Sequence, residues 1–327
     1  MVQIHIPSSL SPQTPPYAGV LFALGGAVIL SVNDLAIKAL SGSYALHQVI
    51  LIRAFVGMTI VLVLMAASKR GFAQMRTARW REHLLRVCIV MVSNVTYFLG
   101  LAVLPLADAV ATAFVSPLVI TMMSAVFLGE YVGPRRWAAV AVGMVGVIVM
   151  VRPGAGVIQP AAILVLISAV CYATSNMMTR RMRDTESAAT MSFYVQLGFI
   201  FVSSAMGFWV GDGHLAQAEG VTAFLFRPWV FPPFRDWWAF LATGAAVGVG
   251  GLMMSQAYRT TEAALVAPFE YIGMPMAIFW GVVVFGTWPD QHAWVGIALI
   301  GGAGLYTLWR ETVRKKVVDV AAPSGDL

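Results

Sequence analysis

The sequence predicts an all-α integral membrane protein with ten transmembrane helices, arranged as two inverted five-helix repeats. Three observations support this prediction. First, 59% of the 327 residues are hydrophobic and only 11% are charged, whereas an average soluble domain has about 25% charged residues. Second, apolar runs of roughly 18–23 residues, the length that crosses a bilayer as a helix, recur along the whole chain. Third, the two halves of the chain resemble each other at a constant offset.

The apolar runs place ten spans, with ends accurate to about 3 residues. They are 17–39, 46–67, 84–104, 107–128, 136–152, 159–179, 188–210, 236–258, 262–286 and 291–309. The segment before them is rich in Pro and Ser, and it lacks the basic region and short apolar core of a signal peptide. We therefore expect a disordered cytoplasmic tail over 1–16, a first repeat over 17–153, a second repeat over 159–309 and a basic cytoplasmic tail over 310–327.

Basic residues orient the spans. The loops after spans 2, 4, 6 and 8 and the C-terminal tail together carry 16 Lys and Arg residues, and the opposite side carries 4. This count takes Arg86 as a residue of the loop between spans 2 and 3. Because Lys and Arg are enriched in cytoplasmic loops, we expect a multi-pass protein of the plasma (inner) membrane with both termini in the cytoplasm. The net charge of +6 does not indicate nucleic-acid binding, because the basic residues are divided among short loops.

One loop on the predicted outer side, about 211–235, is longer than the others. It contains a group of aromatic residues, Phe224, Phe226, Trp229, Phe231 and Phe234. Because aromatic rings favour the headgroup zone of a membrane, the loop is predicted to lie along the outer interface. Its aromatic residues then serve either as anchors or as part of a binding site.

The internal repeat pairs residues of the two halves. Trp137 aligns with Trp294, and Asn33 aligns with Asn176 to within one residue. Each half has five spans, and an odd number of spans makes the second half enter the membrane from the opposite side. Inverted repeats are typical of secondary transporters, whose substrate site lies near the midplane between the halves.

Several short motifs lie within these repeats. They are "LPLADA" between spans 3 and 4, "SPL" in span 4, "LGE" followed by "RRW" into span 5, and "AYRTTEAALVAPFEY" at 257–271. In these motifs the chain resembles the EamA-type branch of the drug/metabolite transporter superfamily over about residues 17–309. The resemblance implies ten helices, a central cavity and transport of small metabolites. The second half departs from the first where Thr287 stands at the position equivalent to Glu130.

A charge at mid-bilayer costs at least about 2.5–3.5 kcal/mol, and four ionisable residues of the predicted spans are candidates for such positions. They are Asp34, Lys38, Arg53 and Glu270. A short turn joins spans 1 and 2, so we expect Asp34 to pair with Arg53, braced by the amide of Asn33. The pair either neutralises two structural charges or forms an outer gate or a clamp for a substrate carboxylate. An alternative for Lys38 alone is to extend to the outer headgroups.

Glu270 is flanked by Pro268 and Pro275, which remove backbone hydrogen bonds and loosen the helix. No Lys or Arg lies in its own predicted span. An unpartnered carboxyl group in hydrocarbon favours its neutral form, so Glu270 is a candidate proton carrier or cation ligand. Alternatively, it is a protonated side chain that bonds to a neighbouring helix.

The resemblance implies that spans 3, 4, 8 and 9 form the walls of the cavity. Further polar residues that would line it are Asn94, Tyr97, Gln256, Tyr258 and Tyr271. For each of them an interhelical hydrogen bond is an equal alternative to substrate contact.

These features favour a secondary transporter of a small organic metabolite, such as an amino acid, a nucleotide derivative, a vitamin or a drug-like solute. It would work by alternating access through the central cavity, with proton coupling through Glu270 as an option. The alternatives are an intramembrane lipid-modifying enzyme and a channel-like permease. The histidines are scattered and no H-E-x-x-H spacing occurs, so no catalytic residue, metal or cofactor is expected. The expected partners are the solute and the bilayer, with the chain as a monomer or homodimer and no nucleic acid.

Overall fold

A computed structural model describes residues 16–127, 133–151, 160–216, 222–261 and 266–321. Within these ranges every regular element is helical. The α-helices are α1 (Pro16–Leu40), α2 (Leu46–Ala67), α3 (Trp80–Val103), α4 (Leu106–Ala113), α5 (Ser116–Phe127), α6 (Pro134–Val151), α7 (Pro160–Arg181), α8 (Ala188–Val210), α9 (Ala223–Phe226), α10 (Trp237–Thr260), α11 (Gly273–Phe285) and α12 (Gln291–Ala321). Three short 3₁₀ helices cover Gly71–Met75, Phe234–Asp236 and Ala267–Ile272. Glu130 lies outside the described residues.

The helices correspond to the ten predicted spans. Among the described residues, seven segments are long and apolar enough to cross a membrane: Ala18–Leu40, Leu46–Ala67, Trp80–Val103, Leu106–Met123, Pro160–Arg181, Ala188–Val210 and Phe234–Thr260. Two shorter apolar helices, Trp137–Val149 and Phe269–Phe285, and the long α12 occupy the other three spans. The all-α fold of ten spans in two five-helix repeats is therefore confirmed.

The end of the chain differs from the prediction of a basic tail over 310–327. The final helix, α12, continues through residue 321 instead of ending near residue 309. The sequence explains the extension, because no Gly or Pro interrupts residues 305–321 and such residues are the main helix breakers.

The fourth span of each repeat is interrupted at an equivalent place. In the first repeat α4 ends before Phe114 and α5 begins at Ser116, with Pro117 in its first turn. In the second repeat the 3₁₀ turn ending at Ile272 precedes α11, with Pro275 in its first turn. Proline removes a backbone donor and favours such breaks. Paired interruptions in the two halves of an inverted repeat mark the binding site of many transporters.

The helix pairs that pack most extensively follow the internal symmetry. Helix α1 packs on α10, and the equivalent pair is α7 on α3. Helices α2 and α8 are each other's counterparts and pack together, as do α6 and α12. Small residues allow the backbones to approach: a Cβ at Gly146 would lie 3.1 Å from the carbonyl oxygen of Gly296.

Two buried apolar clusters occupy opposite ends of the bundle. One contains Leu40, Leu46 and Phe240, at the predicted outer end where α1 ends. The other contains Ala23, Ala257 and further residues at the end where α1 begins. Between these clusters the two repeats separate around a polar cavity.

Candidate functional site: a polar cavity between the repeats

The central cavity has a volume of about 300 Å³, at the lower end of the range for small-molecule sites. Side chains from both repeats line it: α1, α2, α3, α4 and α5 contribute from the first, and α7, α8, α10 and α11 from the second. The paired helix interruptions reach the cavity wall at Ser116 and Gly273. The cavity therefore lies where an inverted-repeat transporter holds its solute.

Six of the nine residues predicted from the sequence line this cavity. They are Asn33, Asp34, Arg53, Asn94, Tyr97 and Glu270. Tyr258 lies behind Glu270, and Tyr271 stacks on the cavity residue Phe114 at a ring-centroid distance of 5.1 Å. Gln256 is placed differently: it accepts a hydrogen bond of 3.0 Å from Arg259 and is not among the lining residues that the structure describes.

A network centred on Asn33 replaces the predicted direct pair of Asp34 and Arg53. Arg53 Nη1 donates to Asn33 Oδ1 at 3.3 Å, and its Nη2 donates to Asn94 Oδ1 at 2.8 Å. Asp34 accepts from Asn33 Nδ2 at 3.2 Å and from the Tyr97 hydroxyl at 2.9 Å. No ion pair within 4.0 Å joins Asp34 to Arg53 in this described region, so the expected salt bridge is wrong. The amide satisfies both charges because its oxygen accepts while its nitrogen donates.

The Arg53 guanidinium is also enclosed by aromatic rings. Its central carbon lies 4.9 Å from the ring centroid of Phe98 and 5.1 Å from that of Phe199. The side chain is 1% exposed. Ring faces stabilise a desolvated cation, so these contacts add to the amide bonds in holding a buried charge.

Glu270 has partners that the sequence analysis missed. Its carboxyl group accepts from the hydroxyl of Tyr172 at 2.8 Å and from that of Tyr258. The prediction of an unpartnered Glu270 is therefore wrong, because α7 and α10 each place a tyrosine beside it. Tyr172 lies in "CYATSNMMTR", the stretch whose Asn176 was noted for the repeat, and its position one turn before Asn176 is the signal that could have identified it.

Tyr271 marks the internal symmetry of the site. It lies 157 residues after Phe114, the offset that relates Trp137 to Trp294. The two equivalent rings stack, and the Tyr271 hydroxyl donates to the Phe114 carbonyl at 3.2 Å. The symmetry axis of the two repeats therefore passes close to this pair.

Lys38 caps a helix and does not extend to the headgroups. Its ammonium group donates to the carbonyl oxygens of Leu101 at 2.8 Å, Ala102 at 3.2 Å and Leu104 at 2.7 Å. The last carbonyls of a helix lack intrahelical donors and carry partial negative charge, so the end of α3 attracts the cation. At the opposite end of the bundle, Arg180 donates in the same way to the Thr261 carbonyl at 3.1 Å.

Arg86 was assigned to a loop, and the structure places it in the cavity wall. It lies within α3 and is 6% exposed. Its Nε donates to the Thr179 hydroxyl at 2.9 Å and its Nη1 to the Met191 carbonyl at 3.3 Å. Arg86 is therefore a second buried cation of the site, and the loops after the even-numbered spans hold one basic residue fewer than the sequence count.

The predicted outer loop partly covers the end of the bundle. Phe224 is buried, whereas Phe231 and Phe234 are 86% and 94% exposed, as expected for rings in a headgroup zone. Tyr44, between α1 and α2, donates to Asp236 at 2.6 Å. Burial and this carboxylate together raise the pKa of Tyr44 to about 12, so its hydroxyl stays a donor that ties the loop to the bundle.

Metal-ligating side chains do not cluster in the described part of the chain. No group of three or more His, Cys, Asp and Glu side chains there could hold a metal ion. Cys88 and Cys171 are free thiols.

Curated relatives of the chain are membrane transporters. A riboflavin transporter of Rhizobium johnstonii is 29% identical over 80% of this chain and 80% of its own length. An S-adenosylmethionine uptake transporter of Rickettsia prowazekii is 21% identical over 90% of this chain and 93% of its own. A pseudopaline exporter of Pseudomonas aeruginosa is 25% identical over 86% of this chain and 93% of its own.

A solved structure and a family model cover nearly the same length. The crystal structure of a protein 20% identical in sequence matches 90% of this chain and 99% of its own, with a TM-score of 0.69, which supports the fold. The model of the EamA-like transporter family matches residues 17–152 and 159–309, the two halves that enclose the cavity. This chain belongs to the EamA-like transporter family.

Proposed function

We propose that this membrane transporter of small metabolites carries a flavin, a planar ring system with a hydroxylated side chain, by alternating access through the central cavity. Riboflavin transporters of Rhizobium johnstonii, Brucella anthropi and Vibrio cholerae are among its relatives, at 29%, 24% and 24% identity. These identities do not fix a substrate by themselves. The proposal therefore rests on the match between the cavity and the chemistry of the flavin.

The single observation that carries the proposal is the combination of aromatic and neutral polar groups in the cavity wall. Phe98, Phe114 and Phe199 contribute ring atoms to the cavity wall beside their contacts with Arg53 and Tyr271, and aromatic rings favour offset stacking on planar partners. Serines from α1, α3, α7, α8 and α10, with Asn94 and Gln196, provide donors and acceptors for hydroxyl groups. Gln196 lines the cavity, and its Oε1 is buried without a partner among the described residues.

Phe98, Phe114 and Phe199 together form what we call the ring site. The charges near it argue against a cationic solute such as S-adenosylmethionine. A carboxylate with unoccupied oxygen lone pairs would be the strongest counter-charge for such a solute. Asp34 already accepts from Asn33 and Tyr97, and Glu270 accepts from two tyrosines. A flavin ring is uncharged and needs no ion pair with either carboxyl group.

The same proposal covers orientation and mechanism. The excess of basic residues in the loops after even-numbered spans supports an inner-membrane protein with both termini in the cytoplasm. Glu270 faces the cavity from the interrupted helix and is the candidate group for proton coupling. The protein moves its solute unchanged and is not an enzyme.

Riboflavin counterflow in proteoliposomes tests the proposal. Vesicles loaded with unlabelled riboflavin and diluted into labelled riboflavin should accumulate label transiently, because a carrier exchanges solute across the membrane. Protein-free vesicles should not, and external S-adenosylmethionine should not compete. No flux of riboflavin above the protein-free control would refute the proposed substrate, and non-saturable flux without counterflow would indicate a channel.

A further inference from the structure

The cavity contains a buried cation that the ring site does not use. Arg86 lines the cavity in the second turn of α3. Its two recorded hydrogen bonds go to a hydroxyl and to a backbone carbonyl, Thr179 and Met191. Among the described residues, no carboxylate lies within 4.0 Å of its guanidinium. A buried charge without a counter-charge is costly, so a partner from outside the chain would stabilise it.

Two carboxylates lie near Arg86 along the fold, and both are already engaged. Glu82, one helical turn earlier on α3, lies 3.0 Å from Arg79 Nε. Glu186, in the turn between α7 and α8, accepts from the Thr77 hydroxyl at 2.6 Å and lies 3.3 Å from His83 Nε2. Arg53 differs from Arg86, because Asp34 lies next to Asn33, which Arg53 contacts. Among the described residues, neither carboxylate near Arg86 is therefore left to pair with it.

The surroundings of Arg86 suit an anion. Ser175 lies one helical turn before Thr179 on α7, and Ser192 follows Met191 on α8, and both serines line the cavity. Hydroxyl groups and an arginine side chain are the usual ligands of phosphate and carboxylate oxygens. The Arg86 amino group Nη2 has no recorded partner among the described residues, which leaves its donors for such an oxygen.

Arg86 and its two neighbouring serines lie at a different end of the cavity from the ring site. Arg53 contacts Asn94, which lies eight residues after Arg86 on the same helix, so the two cations are about 12 Å apart along α3 at 1.5 Å per residue. The aromatic groups Phe98 and Phe199 surround the Arg53 end. One solute with a ring at one end and an anion at the other would occupy both.

We propose that Arg86, with Ser175 and Ser192, forms an anion subsite, and that the preferred solute is a flavin that carries a terminal phosphate. This inference rests on the proposed transport of flavins. The phosphate oxygens accept from Arg86 at the end of the cavity where α3 begins, while the ring lies toward Arg53. Arg86 is thereby a specificity-determining residue, which separates phosphorylated from unphosphorylated flavins.

Fluorescence quenching of riboflavin and of riboflavin 5′-phosphate by the purified protein in nanodiscs tests the inference. Wild type should bind the phosphate ester at least about tenfold more tightly than riboflavin, the factor expected of a charge-assisted hydrogen bond. R86Q should reduce this ratio to about one. The control R81Q removes the same charge from an exposed position on α3 outside the cavity and should leave the ratio unchanged.

Two results would overturn the inference. One is equal affinity of wild type for the two flavins. The other is an undiminished ratio in R86Q, including the case in which both flavins are weakened by the same factor, as a purely structural Arg86 predicts. If R86Q does not fold, R86M replaces it, because Met keeps the length of the side chain without its charge, and a ratio within twofold of wild type then counts against the subsite.

A failure of the proposed substrate gives a different pattern. If neither flavin binds, the flavin proposal is wrong, and inorganic phosphate at constant ionic strength decides the anion subsite. Phosphate should then raise the thermal stability of wild type and R81Q but not of R86Q. An equal effect of phosphate on all three proteins, or no effect on wild type, would overturn the subsite as well.

Discussion

The replacement of Asn33 by Ala tests the charge network at the predicted outer end of the cavity. Asn33 bonds to two charged groups, Arg53 at 3.3 Å and Asp34 at 3.2 Å, and accepts from the Thr243 hydroxyl. A hydrogen bond to a charged group contributes about 1.5–3 kcal/mol. Because both bonds are long, their lower limits apply, and Asn33→Ala should reduce the free energy of unfolding by about 3 kcal/mol.

The matched control removes a neutral donor from the same oxygen. Thr243→Val keeps the shape of the side chain and leaves both charged partners of Asn33 in place. A neutral interhelical hydrogen bond in a membrane protein contributes about 0.6 kcal/mol and at most about 1.7 kcal/mol. Asn33→Ala should therefore be more destabilising than Thr243→Val by about 1.3–2.4 kcal/mol.

Equilibrium unfolding in lipid bicelles titrated with a denaturing detergent measures both variants. A double-mutant cycle with Arg53→Met adds a sharper criterion. Once the cation is gone, Asn33→Ala should be less destabilising by about 1.5 kcal/mol, because one of its charged partners is absent. Equal effects of Asn33→Ala and Thr243→Val, or additivity of the cycle within about 0.5 kcal/mol, would refute the role of Asn33 as a bridge.

Three further predictions concern the other charged groups and the topology. Lys38→Met removes the cap of α3 and should reduce the free energy of unfolding by about 1.5–3 kcal/mol. The control Lys69→Met, at an exposed loop position, should have little effect. Equal effects of the two variants would contradict the capping role. Glu270→Gln should abolish riboflavin accumulation driven by a pH gradient while counterflow at equal pH survives, and gradient-driven uptake at the wild-type rate would exclude the coupling role. The topology is tested in a protein whose native cysteines are replaced. There, Phe72→Cys should react with an impermeant maleimide only from the cytoplasm, and Phe231→Cys only from outside. Labelling of both in intact cells would contradict the ten-span topology.

The number and order of helices follow from the sequence because bilayer thickness fixes the length of each apolar run. The interruption of span 9 could also be predicted from the sequence, since Pro268 and Pro275 flank it. The equivalent interruption after α4 could not be predicted, because a single proline, Pro117, does not distinguish a helix start from a kink. The continuation of α12 beyond residue 309 was missed because the loss of hydropathy ends a span but does not end a helix.

Contacts between helices could not be predicted in the same way. Several helices are apolar on most faces, so the pattern does not say which face turns toward the cavity. Tyr172 and Tyr258 reach Glu270 through rotations of α7 and α10 that only packing determines. Arg86 was taken for a loop residue because it lies near the end of a span, where basic residues are usually solvated. The direct pair of Asp34 and Arg53 was wrong because sequence spacing cannot place Asn33 between them.

Obstruction of the cavity tests the central claim, that the space between the repeats is the transport path. A Cβ at Gly251 or at Gly302 would meet no atom within 4 Å, so both sites have room for a larger side chain. Gly251 lines the cavity, whereas Gly302 is exposed on α12 and is not part of the cavity wall that the structure describes. In proteoliposomes, riboflavin counterflow should be lost in Gly251→Phe and should stay at the wild-type rate in Gly302→Phe, with both variants monodisperse and equally incorporated. Counterflow at the wild-type rate through Gly251→Phe would contradict the account.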